Sequence, residues 1–332
     1  MKKILIVKTS SLGDVVHCLP VVNDILQHFP DAHIDWVVEE AFADIPRLHP
    51  DVNQVMTVAI RRWKKHIFSQ NTWAEITAFK NLIKQNQYDA IIDTQGLLKS
   101  ALITCAANGI KHGYDKNSIR ESLASWFYDK TYAISYQQHA VVRNRTLAAF
   151  SLCYAAPIDA PDYGISAKNT NNNASGSQAA TGLDIGGLQG SYIVALHGTS
   201  RDSKLWPVQH WIDLGRQLKN QGLSLALPWA NETEQARAQA IQQQAPNSIV
   251  LPKLNIHALA GVIAGAKAAI GVDTGLSHLA AALNKPTIAI YTDTNPALTG
   301  VLAGTQAQAI NLGGVAKIPS VDEVFASLRK IL

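Results

Sequence analysis

Apolar residues along the chain alternate between short continuous runs and longer stretches of helical period. In the first half the runs fall at residues 4–7, 34–38, 55–58 and 90–93, rich in Ile, Val and Ala, and each predicts a buried strand. Between the first two, Val15, Leu19, Val22, Ile25 and Leu26 recur at helical spacing, so one helix is expected over residues 15–29. Strand, helix, strand in this order is the grammar of a parallel sheet covered by helices. The periodicity lapses over "KNTNNNASGSQAATG", residues 168–182, where a linker or surface loop is expected. The grammar then restarts, with strands at 192–196, 223–227, 248–251, 268–272 and 287–291 and helices at 208–221, 232–244, 256–265 and 276–283.

The pattern predicts an α/β chain of two doubly wound parallel-sheet domains, residues 1–167 and 189–332, joined by a linker at 168–188, with the last helix free to pack back on the first domain. Ligands of such sheets bind beyond the carboxyl ends of the strands, so the loops there are expected to line one central cleft. A length of 332 residues suits two domains, and 47% hydrophobic with 16% charged residues suits a soluble globular protein.

A net charge of +4 is too small to imply nucleic acid, so an anionic partner must meet a local patch. Cys18, Cys105 and Cys153 are odd in number and far apart in apolar surroundings, which predicts buried thiols of a reducing compartment. Only four apolar residues separate Lys3 from Lys8, too few for a signal peptide, and Lys267 interrupts the longest apolar stretch before it reaches the length of a membrane span. The expected location is cytoplasmic, or peripheral on the cytoplasmic face of an inner membrane.

The candidate chemistry lies in the loops after strands. In "GVDTGLSHLAAALNKP", Asp273 and Thr274 can cap a helix whose first N–H groups form an anion site, Gly275 lets a ligand approach the backbone, and His278 projects one turn on. The plain alternative is an ordinary cap with a packed histidine. In "LHGTSRDSKLWP", Thr199 and Ser200 offer hydroxyls and Lys204 a mobile charge for a phosphate oxygen, while Trp206-Pro207 anchors the next helix. Glu234 suits either a helix N-terminus or a ribose diol, and Leu254 suits an adenine face. "AIRRWKKH" sets Arg61, Arg62, Lys64 and Lys65 around Trp63; such a run is ordinarily a solvated face, but here it follows a strand and can grip carboxylates or phosphates, joined by Arg120, Arg143 and Arg145. It also suits an anionic membrane surface, where each basic residue contributes on the order of 1 kcal/mol.

Asp14 stands where a strand stops in "VKTSSLGDVVH" and a helix begins. As a plain cap it competes with Ser10 and Ser11; as a general base it would take a proton from a sugar hydroxyl. One glycine, Gly13, replaces the three of a dinucleotide fingerprint, and no P-loop, H-E-x-x-H or Cys/His cluster occurs, so no metal site is expected.

The segments "ILIVKTSSLGDVVHCLP", "DWVVEEAFADIP", "DAIIDTQGLLKSA", "GIKHGYD", "QQHAV", "SRDSKLWP" and "DTGLSHLAAAL" together resemble the ADP-heptose:lipopolysaccharide heptosyltransferases of Gram-negative bacteria over nearly the whole chain. The resemblance implies a GT-B fold and an inverting, metal-independent transfer of L-glycero-D-manno-heptose from ADP-heptose to the Kdo residue of Kdo-lipid A, without cofactor. It assigns Asp14 as base and Lys204 as the phosphate lysine. Donor contacts would come from Ser11, Gly13, Thr199, Ser200, Glu234, Leu254, Asp273, Thr274, Gly275 and His278. Acceptor contacts would come from Arg61, Arg62, Lys64, Lys65, Arg120 and Arg143. Ser200 and Leu254 stand where relatives carry Thr and Met, and "YTDTNPALTG" departs from the usual Y-G-P-T-D-P loop. The alternatives are another GT-B sugar-nucleotide enzyme, a Rossmann oxidoreductase using Glu39 or Glu40 for ribose, and a non-catalytic sugar-nucleotide sensor.

Overall fold

The computed structural model describes residues 1–165, 188 and 190–332, so the expected linker lies outside the described residues apart from Leu188. The chain divides into two compact units, Met1–Gly164 and Ile165–Leu332. In the first, β1 (Lys3–Val7), β2 (His33–Glu39), β3 (Val52–Val58), β4 (Gln87–Asp93), β5 (Asn108–Tyr114) and β6 (Lys130–Tyr132) form one parallel sheet in the order β3-β2-β1-β4-β5-β6. In the second, β7 (Tyr192–Leu196), β8 (Ser224–Leu227), β9 (Ser248–Val250), β10 (Ala268–Val272), β11 (Thr287–Tyr291) and β12 (Ala309–Gly313) are ordered β12-β11-β10-β7-β8-β9. Both are doubly wound, and the strand order reverses between β1 and β4 and between β7 and β10. Ligands of doubly wound sheets bind at such a switch point, beyond the carboxyl ends of the strands.

The central strands are buried because helices cover both faces. Ile4 to Val7 of β1 and Ile288 to Ile290 of β11 are inaccessible to solvent. The sequence missed strands that lack such a run: β5 reads "NGIKHGY", β6 has three residues at an edge, and β12 is a half-exposed edge strand. The single helix expected over 15–29 is two, Leu12–Val16 and Pro20–His28. Pro20 takes the first helical position of the second piece, where its missing N–H costs nothing, so the apolar period continues across a break in the backbone. The last helix, Val321–Ile331, lies on the second sheet, with Val324 and Leu328 in that unit's core.

Of the three cysteines expected to be buried, only Cys18 is; Cys105 and Cys153 are exposed. Cys105 and Cys153 lie on or just after helices whose apolar neighbours face the core while they themselves face outward.

His49, His112 and His197 are buried, and burial pulls each imidazole down to about 4. Their folded forms are therefore neutral while the unfolded chain binds protons below its ordinary value near 6.5, so stability is lost as pH falls from about 6.5 towards 4. Each is worth on the order of 3 kcal/mol when the loss is complete. The urea midpoint is expected to drop steeply across that window; a midpoint that stays level would refute neutral burial of these rings.

Candidate active site

In the first unit the loop after β1 is pinned by the loop after β4. Gln95 Oε1 accepts hydrogen bonds from the Thr9 and Ser10 amides at 3.0 and 2.9 Å, and Lys99 Nζ donates to Ser10 Oγ at 2.9 Å. The chain then enters the helix Leu12–Val16 with Ser11 at the N-cap position. Asp14 closes a capping box: its Oδ2 accepts from Ser11 N at 2.8 Å and Ser11 Oγ at 3.0 Å. The cap reading is thus real, but it uses one oxygen. Oδ1 accepts no hydrogen bond among the described residues, and the side chain and Gly13 beside it are half-buried at the carboxyl edge of the sheet. A carboxylate aimed by its own cap, with one oxygen open, can take a proton from a bound hydroxyl.

The expected acceptor cations part company. Arg62 is engaged with two carboxylates, Glu40 at 3.0 Å and Glu75 at 2.9 Å, and stays nearly half exposed. Arg143 is stacked between Tyr114 and Tyr136, with its guanidinium centre 4.5 and 4.4 Å from the two rings, and it donates to the Ser118 carbonyl. Arg145 forms a buried bidentate pair with Asp24 at 2.8 and 2.9 Å and donates to the Asp159 carbonyl at 2.7 Å. Arg61, whose guanidinium lies over Phe42, and Lys64, Lys65 and Arg120 are exposed.

Lys99 was not anticipated. Burial lowers its ammonium below the usual lysine value, Glu39 opposes that shift, and the charges of Arg61 and Lys64 add to it. Its signal in the sequence was position alone, one residue into the helix Leu98–Ala106 that follows β4. Glu39, which accepts from the Arg61 amide at 3.0 Å, and Glu40, held by Arg62, are both occupied.

In the second unit three loops meet. Thr199 Oγ1 donates to the Asp273 carbonyl at 2.9 Å, Lys204 Nζ pairs with Asp273 Oδ2 at 2.7 Å, and Thr294 Oγ1 donates to the same oxygen at 2.6 Å. The helix Gly275–Ala282 has Thr274 at its N-cap position with no side-chain cap. The expected cap by Asp273 is not made, because its carboxylate is drawn to Lys204 and Thr294 instead. That leaves the first-turn N–H groups of the helix to a ligand. Ser200 is exposed beside Thr199, and His278 is buried one turn into the helix. Trp206, buried edge-on against Trp211 at 5.0 Å and bonded to the Pro319 carbonyl, fixes where Lys204 starts.

The neighbouring loops add further candidate groups. Asn231 caps the helix Glu232–Gln244, and the Glu234 carboxylate accepts from the Ala230 amide at 2.7 Å while packing over Gly198, where an added Cβ would lie 2.6 Å from its Cδ. Leu254 is half-buried after β9, close along the chain to Lys253, whose ammonium stands 5.9 Å from the Trp229 ring. The missed residues here are Thr292 and Thr294: Thr292 Oγ1 donates to the Ser203 carbonyl at 2.7 Å, so the unusual loop after β11 ties down the lysine loop. Among the described residues no group of three or more His, Cys, Asp or Glu side chains is placed to hold a metal ion.

Residues 76–324 match the pattern of glycosyltransferase family 9 (heptosyltransferase). The chain is 46% identical over 299 residues, 90% of each chain, to lipopolysaccharide heptosyltransferase 1 of Escherichia coli. The solved E. coli heptosyltransferase WaaC with ADP superposes with a TM-score of 0.88 at 43% identity, covering 99% of both chains. WaaC with ADP-2-deoxy-2-fluoro heptose gives 0.83 at 42%, over 99% of this chain and 98% of that one.

Proposed function

Because the chain belongs to glycosyltransferase family 9, the heptosyltransferases, we propose that it moves L-glycero-D-manno-heptose from ADP-heptose to the Kdo residue of Kdo-lipid A. It is a glycosyltransferase of GT-B fold that serves lipopolysaccharide core synthesis. The observation that carries the donor is the convergence of Lys204, Thr199, Asp273 and Thr294 at an uncapped helix N-terminus, with Glu234 in the next loop.

In this reading the second unit holds the donor, within residues 189–332. The diphosphate lies on the N–H groups of Thr274, Gly275 and Leu276, with Lys204 turning to it from Asp273; Glu234 accepts from the ribose hydroxyls and Leu254 packs on adenine. The first unit holds the acceptor through Arg61, Lys64, Lys65 and Arg120, with Lys99 joining them. Asp14 takes the Kdo hydroxyl proton as the oxygen forms its bond to the anomeric carbon from the face opposite ADP. The carbon–oxygen bond to the diphosphate breaks with its electron pair passing to ADP. Fixed N–H dipoles and Lys204 stabilise that growing charge, which lets the reaction proceed without a metal.

The experiment is ADP release from ADP-heptose with and without deacylated Kdo-lipid A, in excess EDTA. Release that needs the acceptor and survives chelation is expected. Donor binding without release would make the protein a sensor, and release with a heptosylated acceptor alone would assign the type II reaction.

Gly198→Ala offers a separate check of Glu234. The new Cβ displaces a mobile carboxylate rather than backbone, so the fold should survive while the donor loses a charged hydrogen bond. A roughly ten- to hundredfold weaker ADP-binding constant by calorimetry is expected; unchanged affinity would remove Glu234 from the donor site.

A further inference from the structure

Consecutive side chains in the loop after β11 tie it to both sides of the proposed diphosphate seat. Thr292 Oγ1 donates to the Ser203 carbonyl at 2.7 Å, and Asp293 Oδ2 accepts from Ser203 Oγ at 2.6 Å, which fastens the loop to the segment that carries Lys204. Thr294 Oγ1 reaches the other way and donates to Asp273 Oδ2 at 2.6 Å. The same oxygen receives Lys204 Nζ at 2.7 Å. The ammonium by itself neutralises the carboxylate, so the hydroxyl matters most when the ammonium is elsewhere.

Asp273 has a competing place to go. It stands directly before Thr274, the N-cap residue of the helix Gly275–Ala282, and the Thr274 side chain makes no cap. An aspartate readily accepts from the backbone N–H two residues on, here that of Gly275, and a carboxylate is stabilised at a helix N-terminus. Such a turn would occupy one of the amides that a diphosphate needs and set a negative charge among the rest. In the free protein Asp273 Oδ2 is instead held by Lys204 and Thr294. The Asp273 backbone is fixed at the same point by Thr199, whose hydroxyl donates to its carbonyl at 2.9 Å, so the carboxylate changes partners by rotating its side chain.

Lys204 cannot serve both anions at once. When it turns to the diphosphate, Thr294 is the donor left on Asp273 Oδ2 among the described residues. We propose that Thr294 is a positioning residue that keeps the diphosphate seat open: once Lys204 leaves, its hydroxyl holds the Asp273 carboxylate off the helix N–H groups. The inference deepens the donor reading above and rests on it. A hydroxyl bonded to a charged oxygen is among the stronger hydrogen bonds, and here it competes with the pull of the helix end on the same carboxylate. Without it the carboxylate closes the seat in a share of the molecules, and the apparent affinity for the ligand falls by that share.

The test is ADP binding by calorimetry to wild type, Thr294→Val, Thr294→Ser, Asp273→Ala and Asp273→Ala/Thr294→Val. Valine removes the hydroxyl at a half-buried position and keeps the branched shape, so the fold should survive; if its melting temperature falls sharply, Thr294→Ala takes its place in the same set. Thr294→Val is expected to bind ADP roughly tenfold more weakly, with donor KM raised to match and kcat little changed, because a seat once filled is already open. Thr294→Ser restores the hydroxyl and should bind within about threefold of wild type. Where Asp273 is alanine no carboxylate can close the seat, so adding Thr294→Val should change affinity by less than about twofold. An equal loss in both backgrounds would make Thr294 a mere brace of its loop and overturn the proposal, as would a valine variant that binds like wild type. Wild type that binds no ADP would bring down the donor reading itself, and the inference with it.

Discussion

Asp14→Asn is expected to lower kcat by roughly 10²–10⁴-fold while donor affinity and melting temperature stay close to wild type. The substitution is chosen for the cap. Asp14 Oδ2 accepts from the Ser11 amide and hydroxyl, and an asparagine oxygen can accept both bonds in the same place. What Asn cannot do is take a proton from the acceptor. Asp14→Ala removes the base and the cap together, so it should match the loss in kcat and add about 1 kcal/mol of instability. The pair separates two roles that the structure superimposes on one side chain. A fully active Asn variant beside an inactive, less stable Ala variant would make Asp14 structural, and the proton acceptor would have to be sought elsewhere.

What could be read from the sequence follows from how each feature is encoded. Buried central strands announce themselves as continuous apolar runs, so β1, β4, β10 and β11 were legible, and with them the loops that carry Asp14, Thr199, Lys204 and Asp273. Edge strands such as β6 and β12 bury one face or less and leave no comparable trace. Candidate residues could be picked out where type and spacing coincide, as in D-T-G-x-x-H.

Pairing was not legible. Nothing in "AIRRWKKH" distinguishes Arg62, clamped by carboxylates 22 and 13 residues away in the chain, from Lys64, which stays exposed. Arg143 looked like a free cation because its two tyrosines lie in other segments, and Asp273 looked like a cap because Thr294 and Lys204 were not known to reach it. Long-range contacts decided each of these, and one-dimensional spacing carries no record of them.

The contact at Asp273 sets up the second large effect. Lys204→Ala is expected to lower kcat/KM roughly 10²–10³-fold, as removal of a single well-placed charge donor does elsewhere. The loss has two sources. In the free protein Lys204 Nζ is 2.7 Å from Asp273 Oδ2, both side chains are less than one fifth exposed, and Thr294 holds the same oxygen at 2.6 Å. Without the ammonium, a half-buried carboxylate remains beside the proposed diphosphate position and repels it, and the leaving group also loses its cation. Asp273→Asn removes the repulsion and still offers Thr294 an acceptor. In Lys204→Ala/Asp273→Asn, ADP affinity should therefore return to within a few-fold of wild type while kcat stays low, because only the transition state still lacks its charge. If both affinity and kcat return in the double variant, Lys204 serves only to neutralise Asp273, and the stabilisation of departing ADP rests on the helix N–H groups alone.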